Sequence, residues 1–388
     1  MSVCLTRRIF APLLLGLSTA LAQNVDVPSP IVSSHLESFV GESDFTIVAP
    51  PGCNSVAFAQ IPDLLDLFIG RELINTDPGN LCSGMYWKLV LYRLDWNTWR
   101  FRPIRTILAP RVRLADGALL YSSYDPAITL FRDRYWVAFE CNGERIPHAS
   151  ICIGSFDPRS PGGEIDPAQS YVIVSGESYD RRDVYTYGAG VPKLLVFHDR
   201  LYLYWTALKV WRAPPADRWL EITARGAELE VRSDGHIWVK GARGPIAAND
   251  PISSDEVLAP DKTDRRSNQT ADVFSLISDG ETIYGIAGLG GDGCLRPLDK
   301  IEGCYRLKIF SAVNPLGPRA FDKGGEIPER LLPTNPQEYT RFFRKPDGSL
   351  FLLGRFLNSE TSASNRTVPD GLVMIRLPKP PAALFSEK

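Results

Sequence analysis

The sequence lacks the residues and motifs on which several common chemistries depend. Its 388 residues include only four histidines, no C-x-x-C pair, no phosphate-binding P-loop and no G-x-S-x-G element. Zinc binding, P-loop nucleotide chemistry and serine hydrolysis are therefore unsupported. Lysine and arginine total 43 against 45 aspartates and glutamates, so no basic excess indicates a nucleic-acid partner.

Helical periodicity is also scarce. It occurs once, at Leu64, Leu65, Leu67 and Phe68, and predicts a helix there. Elsewhere short apolar or alternating runs end at Asp-Arg, Asp-Gly or Asn-Gly pairs, which are typical of β-hairpins. The clearest runs are residues 127–139, 194–205, 283–289 and 350–353. The sequence therefore predicts an all-β protein.

Residues 1–22 have the features of a cleaved signal peptide. Arg7 and Arg8 precede the apolar run 9–21, and Ala20-Leu21-Ala22 fits a small-residue cleavage site. The run is too short to span a bilayer. Its removal takes away two arginines and no acids, which changes the formal net charge from −2 to −4. We expect a secreted or periplasmic product with no membrane attachment after cleavage.

Six cysteines remain after that cleavage, an even number in a chain expected to reach an oxidising compartment. Proximity favours three disulfides, although six cysteines allow 15 pairings. The rival interpretation, a metal site, lacks histidines or cysteines at ligand spacing. The favoured pairs are Cys53 with Cys82, Cys141 with Cys152, and Cys294 with Cys304.

Four segments of similar pattern recur along the chain. Each has a small or acidic opening, an apolar strand, a turn holding an aspartate, and an aromatic second strand. They are YDPAITLFRDRYWVAFE from Tyr124, GVPKLLVFHDRLYLYWT from Gly190, ADVFSLISDGETIYGIAG from Ala271 and EYTRFFRKPDGSLFLLGR from Glu338. Equivalent positions 125, 191, 272 and 338 are 66, 81 and 66 residues apart. A more diverged fifth unit contains MYWKLVLYRLDWNTWRF.

Five units that are each too small to bury both faces of a sheet predict a five-bladed β-propeller, in which blades pack around an axis. One such domain would occupy residues 23–388. The predicted blades cover approximately residues 44–110, 118–178, 187–245, 270–325 and 338–380.

In a propeller the first strand of each blade lines the central channel, so the repeat openings converge at one mouth. Asp125, Asp272 and Glu338 are therefore expected to share one polar cavity. Taken singly, each acid is more often a turn starter or a solvated strand end. Placement of these three acids at opposite ends of the molecule, or their burial in salt links beneath the surface, would rule out the predicted hydrolase.

The order of these openings resembles the five-bladed glycosidases of glycoside hydrolase family 43, which include arabinanases, arabinofuranosidases and β-xylosidases. The matching elements are Asp125-Pro126-Ala127-Ile128, Val191-Pro192-Lys193-Leu194, Asp272 before an S-D-G turn and Glu338 before a P-D-G turn. The chain departs from the family pattern because no proline follows Asp272 or Glu338. The resemblance covers about residues 118–360.

The resemblance implies the roles of the three acids. Asp125 corresponds to the general base, Glu338 to the general acid, and Asp272 to the third acid that keeps Glu338 protonated. Inverting glycosidases hold base and acid roughly 6.5 to 9.5 Å apart. No catalytic metal or organic cofactor is expected. A structural calcium ion in the channel, as in some relatives, is left open. Asp77, in a second Asp-Pro pair, is a fallback for the base.

Aromatic and basic residues near the repeat openings are candidates for substrate binding, because flat rings suit stacking against sugar C–H faces. They are Tyr124, Tyr187, Tyr339 and Arg341. Tyrosines in strands are also often core residues, and Arg341 or Lys193 would equally pair with the channel acids.

The sequence therefore predicts a glycoside hydrolase that acts by inversion on a poly- or oligosaccharide. The alternative is a propeller that only binds carbohydrate or protein, since the same architecture serves both activities.

Overall fold

The computed structural model describes residues 45–48, 57–74, 86–176, 184–213, 216–260, 269–290, 306–326, 335–336, 340–357 and 372–377. These ranges contain 24 strands and one short 3-10 helix, Pro167–Gln169, but no α-helix. The predicted all-β class is confirmed. Within the same ranges no helix is long and apolar enough to cross a membrane. The predicted signal peptide, residues 1–22, lies outside the described residues.

The first sheet is an antiparallel meander in which each strand pairs with the next along the chain. Its strands are β2 (Phe58–Ile61), β3 (Leu64–Leu73), β4 (Trp87–Asp95) and β5 (Arg100–Leu108).

The helix predicted around Leu64 to Phe68 is wrong, because these residues belong to strand β3. Leu67 and Ile69 join the apolar cluster shared with the second sheet, whereas Phe68 packs in the opposite cluster, toward the last sheet. A strand that is buried on both faces reads as a continuous apolar run, and over four or five residues such a run mimics a helical face.

The second sheet is built on the longest of the predicted hairpins, β7 and β8, and is mostly antiparallel. A two-residue parallel pairing adds β15, which comes from the chain segment of the third sheet. The strands are β6 (Val112–Arg113), β7 (Leu119–Phe131), β8 (Arg134–Glu144), β9 (Ile146–Ser155), β10 (Tyr171–Ser175) and β15 (Ile246–Ala247).

Cys141 and Cys152 form a disulfide between the neighbouring strands β8 and β9. Their Cα atoms are 5.9 Å apart, and both residues are fully buried. This predicted pair is confirmed. Four predicted disulfide cysteines lie outside the described residues: Cys53, Cys82, Cys294 and Cys304.

The third and fourth groups of strands join in one nine-stranded sheet through a short parallel pairing of β13 with β17. The third group is β11 (Val184–Phe197), β12 (Arg200–Ala213), β13 (Ala216–Val231), β14 (Ile237–Val239) and β16 (Asp255–Leu258). The fourth group is β17 (Gln269–Ser278), β18 (Ile283–Gly290), β19 (Arg306–Ala312) and β20 (Gly324–Glu326).

The last sheet brings together segments from near both ends of the chain. Strand β1 (Phe45–Val48) pairs antiparallel with β24, although it lies within the range 44–110 predicted for the first unit. The other strands are β21 (Asn335–Pro336), β22 (Arg341–Arg344), β23 (Leu350–Leu357) and β24 (Leu372–Leu377).

One strand from each of the five groups lies beside a single cavity. Strand β2 contacts β7, β7 contacts β11, β11 contacts β17, β17 contacts β22, and β22 returns to β2. The last contact is polar: Gln60 Nε2 donates to the Arg344 carbonyl at 2.6 Å, and the Arg344 N–H donates to Gln60 Oε1 at 2.8 Å. A cavity of about 400 Å³ lies between these strands and is lined by residues of all five.

The apolar core is divided into clusters that lie between neighbouring sheets. Separate clusters join the first sheet to the second, the second to the third strand group, the third group to the fourth, and the last sheet to the first. At the last of these contacts Phe68 and Phe343 meet edge to face, with ring centroids 5.0 Å apart. Both faces of the first sheet, the second sheet and the third strand group are thus covered by neighbouring strands.

Candidate functional site

Two of the repeat openings have the same unusual backbone conformation. Asp125 has φ 50° and Val191 has φ 46°, in the left-handed region that side chains other than glycine rarely adopt. Each precedes a proline and interrupts the strand pairing, between Tyr124 and Ala127 in β7 and between Gly190 and Lys193 in β11. A non-glycine residue in this conformation destabilises the folded state by about 1–3 kcal/mol, and such residues cluster at functional sites. The equivalent bulges mark both openings as candidate site elements.

Asp125 forms a buried ion pair with Arg71 of strand β3. The distance from Arg71 Nη1 to Asp125 Oδ1 is 2.6 Å, and the two side chains are 9% and 2% exposed. The Arg71 guanidinium also lies 4.7 Å from the centre of the Trp87 ring, a cation–π contact. Arg71 thus holds the Asp125 carboxylate against an aromatic wall that belongs to the first sheet.

Glu140 lies beside Asp125 on the neighbouring strand β8 and faces the other bulge. Its Oε2 accepts a hydrogen bond from the Val191 N–H at 3.1 Å. Gly190 leaves room for this carboxylate, because a Cβ at that position would lie 2.6 Å from Glu140 Oε2. Burial, reinforced by the negative charge of Asp125, raises the pKa of Glu140 to about 8. Glu140 is therefore largely a neutral carboxylic acid near pH 7.

Lys193 links the two predicted acids that the structure describes. Its ammonium donates to the Val191 carbonyl at 2.5 Å, and both Asp272 and Asp125 act on it electrostatically. Burial lowers the pKa of Lys193 to about 7, against the opposing effect of Asp272. Its charge is consequently sensitive to small changes in the cavity.

Asp272 is buried at the opening of β17 and reaches across to the third strand group. The hydroxyl of Thr206 in β12 donates to Asp272 Oδ1 at 2.8 Å. A bulge between Val273 and Ser275 follows it, so this opening too has an irregular strand pairing. Asp272 is 6% exposed.

Arg341 comes from the last sheet and completes the set of charges. Its Nη1 donates to the carbonyl of Pro126, directly after Asp125, at 2.7 Å. Its positive charge also acts on Lys193. Six buried ionisable residues thus lie together, and we call them the charge cluster: Arg71, Asp125, Glu140, Lys193, Asp272 and Arg341.

Tyr124 joins the charge cluster to a patch of aromatic rings. It is the cross-strand partner of Glu140, and its ring centroid is 6.4 Å from that of Trp87. Burial raises the pKa of the Tyr124 hydroxyl far above its usual value, and the charge of Glu140 adds to this effect. Tyr124 therefore stays protonated and can donate a hydrogen bond.

The structure thus brings Asp125, Asp272, Arg341 and Tyr124 to one region. Glu338 and Tyr339 lie outside the described residues, as does Asp77, and the structure describes only the backbone of Tyr187. Two of the acids lie on strands that both contact the strand of Lys193, but Asp125 is also held in a salt link beneath the surface, the arrangement that would rule out the hydrolase if all three acids shared it.

Arg71, Glu140 and Thr206 were not among the site residues predicted from the sequence. Their signal was a charge or hydroxyl inside an otherwise apolar strand, as in FIGREL around Arg71 and VAFEC around Glu140. A charged residue is almost never fully buried unless it is paired. Such an interruption predicts a buried partner, but it does not identify it.

The described residues give no support to a metal or nucleotide site. Within these ranges no three His, Cys, Asp or Glu side chains are grouped to hold a metal, and the positive Lys193 and Arg341 do not suit a calcium ion. The run from Gly288 to Gly293 has G-x-G-x-x-G spacing. However, β18 is antiparallel to both neighbours, whereas the dinucleotide fingerprint belongs to a parallel βαβ unit.

Several solved structures of carbohydrate-active enzymes are remotely similar to this chain. A thermostable family-43 glycoside hydrolase has 11% identity and a TM-score of 0.49, covering 85% of this chain and 95% of its own. A Bacillus subtilis arabinanase has 10% identity and a TM-score of 0.48, and the match covers 84% of this chain and 95% of the arabinanase. An α-L-arabinofuranosidase from Lactobacillus brevis has 10% identity and a TM-score of 0.47, and the match covers 84% of this chain and 91% of that enzyme. No protein-family model and no curated protein matches the chain.

Proposed function

We propose that this protein is an exported glycoside hydrolase that cleaves a poly- or oligosaccharide by inversion. The observation that carries the proposal is that buried Asp125 and Asp272, from two repeat openings, lie on strands β7 and β17, which both contact the strand β11 that holds the buried Lys193. Buried acids with perturbed neighbours, gathered where several strands begin, are typical of catalytic sites.

The proposed scaffold is a five-bladed β-propeller. Five inner strands contact one another in cyclic order around the cavity, and among the described residues apolar clusters lie at four of the five contacts between successive groups. Strand β1 would close the ring by completing the last blade, next to β24. This arrangement would also leave few exposed strand edges.

In the proposed reaction Asp125 is the general base and Glu338 the general acid. Asp125 takes a proton from water, whose oxygen bonds to the anomeric carbon as the glycosidic C–O bond breaks, and Glu338 gives its proton to the leaving oxygen. Asp272 is the third acid, which disfavours ionisation of Glu338. Arg71 orients Asp125 through the 2.6 Å ion pair.

The buried pair of Arg71 with Asp125 favours a second candidate function. Asp125 is only 2% exposed and already has a cationic partner, so the charge cluster would also serve as a rigid base for a site that binds carbohydrate without cleaving it. In that case the acids would stabilise the strand openings and no bond would be broken.

Turnover by the purified protein on arabinan, xylan, levan and their oligosaccharides tests the proposal. We expect Asp125→Asn and Glu338→Gln to lower kcat by roughly 10²–10⁴-fold, the usual contribution of a general base or acid. NMR of the first product should show the inverted anomer. Asp133→Asn, in an exposed turn at φ 59° that asparagine tolerates, is the matched control.

Circular dichroism and thermal unfolding of each variant separate lost catalysis from lost folding. Folded Asp125→Asn and Glu338→Gln proteins with unchanged turnover would overturn the hydrolase proposal. A wild-type protein that binds an oligosaccharide, does not cleave it and keeps its affinity in both variants would establish the non-catalytic alternative.

A further inference from the structure

Two pairs of aromatic side chains lie where strands β4 and β7 begin. Trp87 and Tyr124 have ring centroids 6.4 Å apart, and so do Tyr86 and Tyr121. The members of each pair come from different strands. The backbone N–H of Trp87 donates to the Ser122 hydroxyl oxygen at 3.1 Å. This hydrogen bond joins β4 to β7 and so fixes the relative positions of the two pairs.

The inner pair, Trp87 and Tyr124, touches the charge cluster. Arg71 lies over the Trp87 ring while it binds Asp125, and Tyr124 is the cross-strand partner of Glu140. Both rings are partly exposed. A sugar lying on these rings would therefore be next to Asp125.

The outer pair, Tyr86 and Tyr121, reaches the surface. Tyr121 is 37% exposed and is the only aromatic among the four exposed large apolar residues of the described ranges. It is the extra residue of a bulge between Leu120 and Ser122 and has no cross-strand partner. The guanidinium of Arg111, an exposed residue, lies 5.8 Å from the Tyr86 ring centre. A donor for sugar hydroxyls is thus present at the outer end.

The spacing along β7 suits a chain of several sugars rather than one. Tyr121 precedes Asp125 by four residues in one strand, a separation of up to roughly 13 Å at about 3.3 Å per residue. Flat aromatic faces with polar rims bind the C–H faces of sugar rings while leaving their hydroxyls in water. The rings of each pair are inclined to each other by 52° and 57°. Arg71 lies over Trp87 and Arg111 over Tyr86, so successive sugars would stack on the faces that these guanidinium groups leave open.

We propose that Tyr86, Trp87, Tyr121 and Tyr124 form a track that stacks successive residues of one unbranched oligosaccharide, running outward from the charge cluster between the first and second sheets. This inference rests on the proposed function, since the track would present the sugar chain to the charge cluster for cleavage. Its ligand is a chain long enough to reach both pairs, and a disaccharide would occupy the inner pair only.

Isothermal titration with di- and hexasaccharides prepared from arabinan, xylan and levan tests the track without requiring catalysis. We expect a hexasaccharide to bind more tightly than its disaccharide. Tyr121→Ala should weaken hexasaccharide binding roughly three- to tenfold, the scale of one aromatic contact, and leave disaccharide binding unchanged. Tyr121→Phe keeps the ring and should retain the affinity. Ile252→Ala, at a residue 94% exposed elsewhere, is the control.

The outcomes separate this inference from the proposed hydrolysis. Loss of hexasaccharide affinity in Tyr121→Ala supports the track even if no bond is cleaved, and absent cleavage would then count against the hydrolase alone. Cleavage by wild type with equal hexasaccharide affinity in Tyr121→Ala would overturn the track and leave the hydrolase standing. Equal binding of di- and hexasaccharides by wild type, or no binding of either, also overturns the track.

Discussion

The guanidinium of Arg71 lies 2.6 Å from the Asp125 carboxylate, across 54 residues of chain, and both side chains are buried. Removal of one partner from a buried pair leaves an uncompensated charge. We therefore expect Arg71→Met to lower the free energy of unfolding by about 3–5 kcal/mol. Urea unfolding followed by circular dichroism measures this difference.

An exposed ion pair supplies the control for Arg71. Arg93 and Asp66 are 3.0 Å apart, with side chains 62% and 43% exposed, and such a surface pair contributes about 0–1 kcal/mol. Arg93→Met should therefore have little effect. Equal losses in the two variants would show that burial of the Arg71 pair is not what matters. Adding Asp125→Asn to Arg71→Met should recover stability, because the unpaired charge is then gone and asparagine tolerates the left-handed backbone at position 125.

Gly190 is required by the Glu140 carboxylate. The Cβ of an alanine at 190 would lie 2.6 Å from Oε2 and 3.2 Å from Cδ of Glu140, so Gly190→Ala must push the carboxylate away from the Val191 N–H. We expect a loss of about 1–3 kcal/mol, typical of overpacking, measured by urea unfolding. Gly244→Ala is the matched control, since nothing lies within 4 Å of its Cβ position.

A double variant that combines Glu140→Ala with Gly190→Ala tests whether the destabilisation by Gly190→Ala comes from the clash with Glu140. Once Glu140→Ala removes the carboxylate, Gly190→Ala has no clash to create, so the two changes should cost much less together than the sum of their separate effects. Additive losses would mean that Gly190 acts through its own backbone and not through Glu140.

Much of the fold could be predicted from the sequence because the two strands of a hairpin and the turn between them are adjacent along the chain. The runs 127–139 and 194–205 contain both strands and the turn between them, and the structure has hairpins there. The segment around Phe68 was misassigned because its residues are covered on one side by the second sheet and on the other by the last sheet, and so form a continuous apolar run. The pairing of β1 with β24 likewise depends on two segments with no shared pattern.

The candidate site could be predicted only in its repeated part. Asp125 and Asp272 stand at equivalent repeat positions, which is why the sequence placed them together. Arg71 and Glu140 belong to no repeat opening, and their partners are set by how the sheets pack. The left-handed conformation of Val191 could not be predicted from the sequence either, because valine before proline favours extended backbone.

Gln60 should contribute to the closing contact between β2 and β22. Besides its two hydrogen bonds to the Arg344 backbone, its Nε2 donates to the Leu65 carbonyl at 2.7 Å. Gln60→Ala leaves these backbone groups without their partner and should cost about 1–3 kcal/mol, read as a lower urea midpoint.

A second substitution divides the hydrogen bonds of Gln60. Gln60→Glu keeps an acceptor for the Arg344 N–H but places a carboxylate oxygen, which cannot donate, against the Leu65 and Arg344 carbonyl oxygens. Its midpoint should therefore be no higher than that of Gln60→Ala. Gln169→Ala, at an exposed residue of the 3-10 helix, is the control. A Gln60→Ala midpoint equal to that of Gln169→Ala would show that this contact does not hold β2 to β22.

Glu140 should make the protein less stable as the pH rises from 5 to 7. Burial, together with the charge of Asp125, raises its pKa from an ordinary 4.5 to about 8, so the folded protein binds more protons than the unfolded chain between these values. Stability contributed by this group is complete below pH 4.5 and is lost as the pH approaches 8. Urea unfolding at pH 5, 6 and 7 measures the slope.

Glu140→Gln should remove that slope, because glutamine has nearly the same shape and does not titrate. Lys193 acts in the opposite direction and at higher pH: burial lowers its pKa from 10.5 to about 7, so its contribution rises with pH between these values. Lys193 begins to titrate as the pH nears 7, so the part of the window from pH 5 to 6 isolates Glu140 from Lys193. Asp347→Asn is the control, because hydrogen bonds from Ser349 lower the pKa of Asp347 below 3.8, outside this window. A Glu140→Gln protein that keeps the wild-type slope would mean that Glu140 is already ionised at neutral pH.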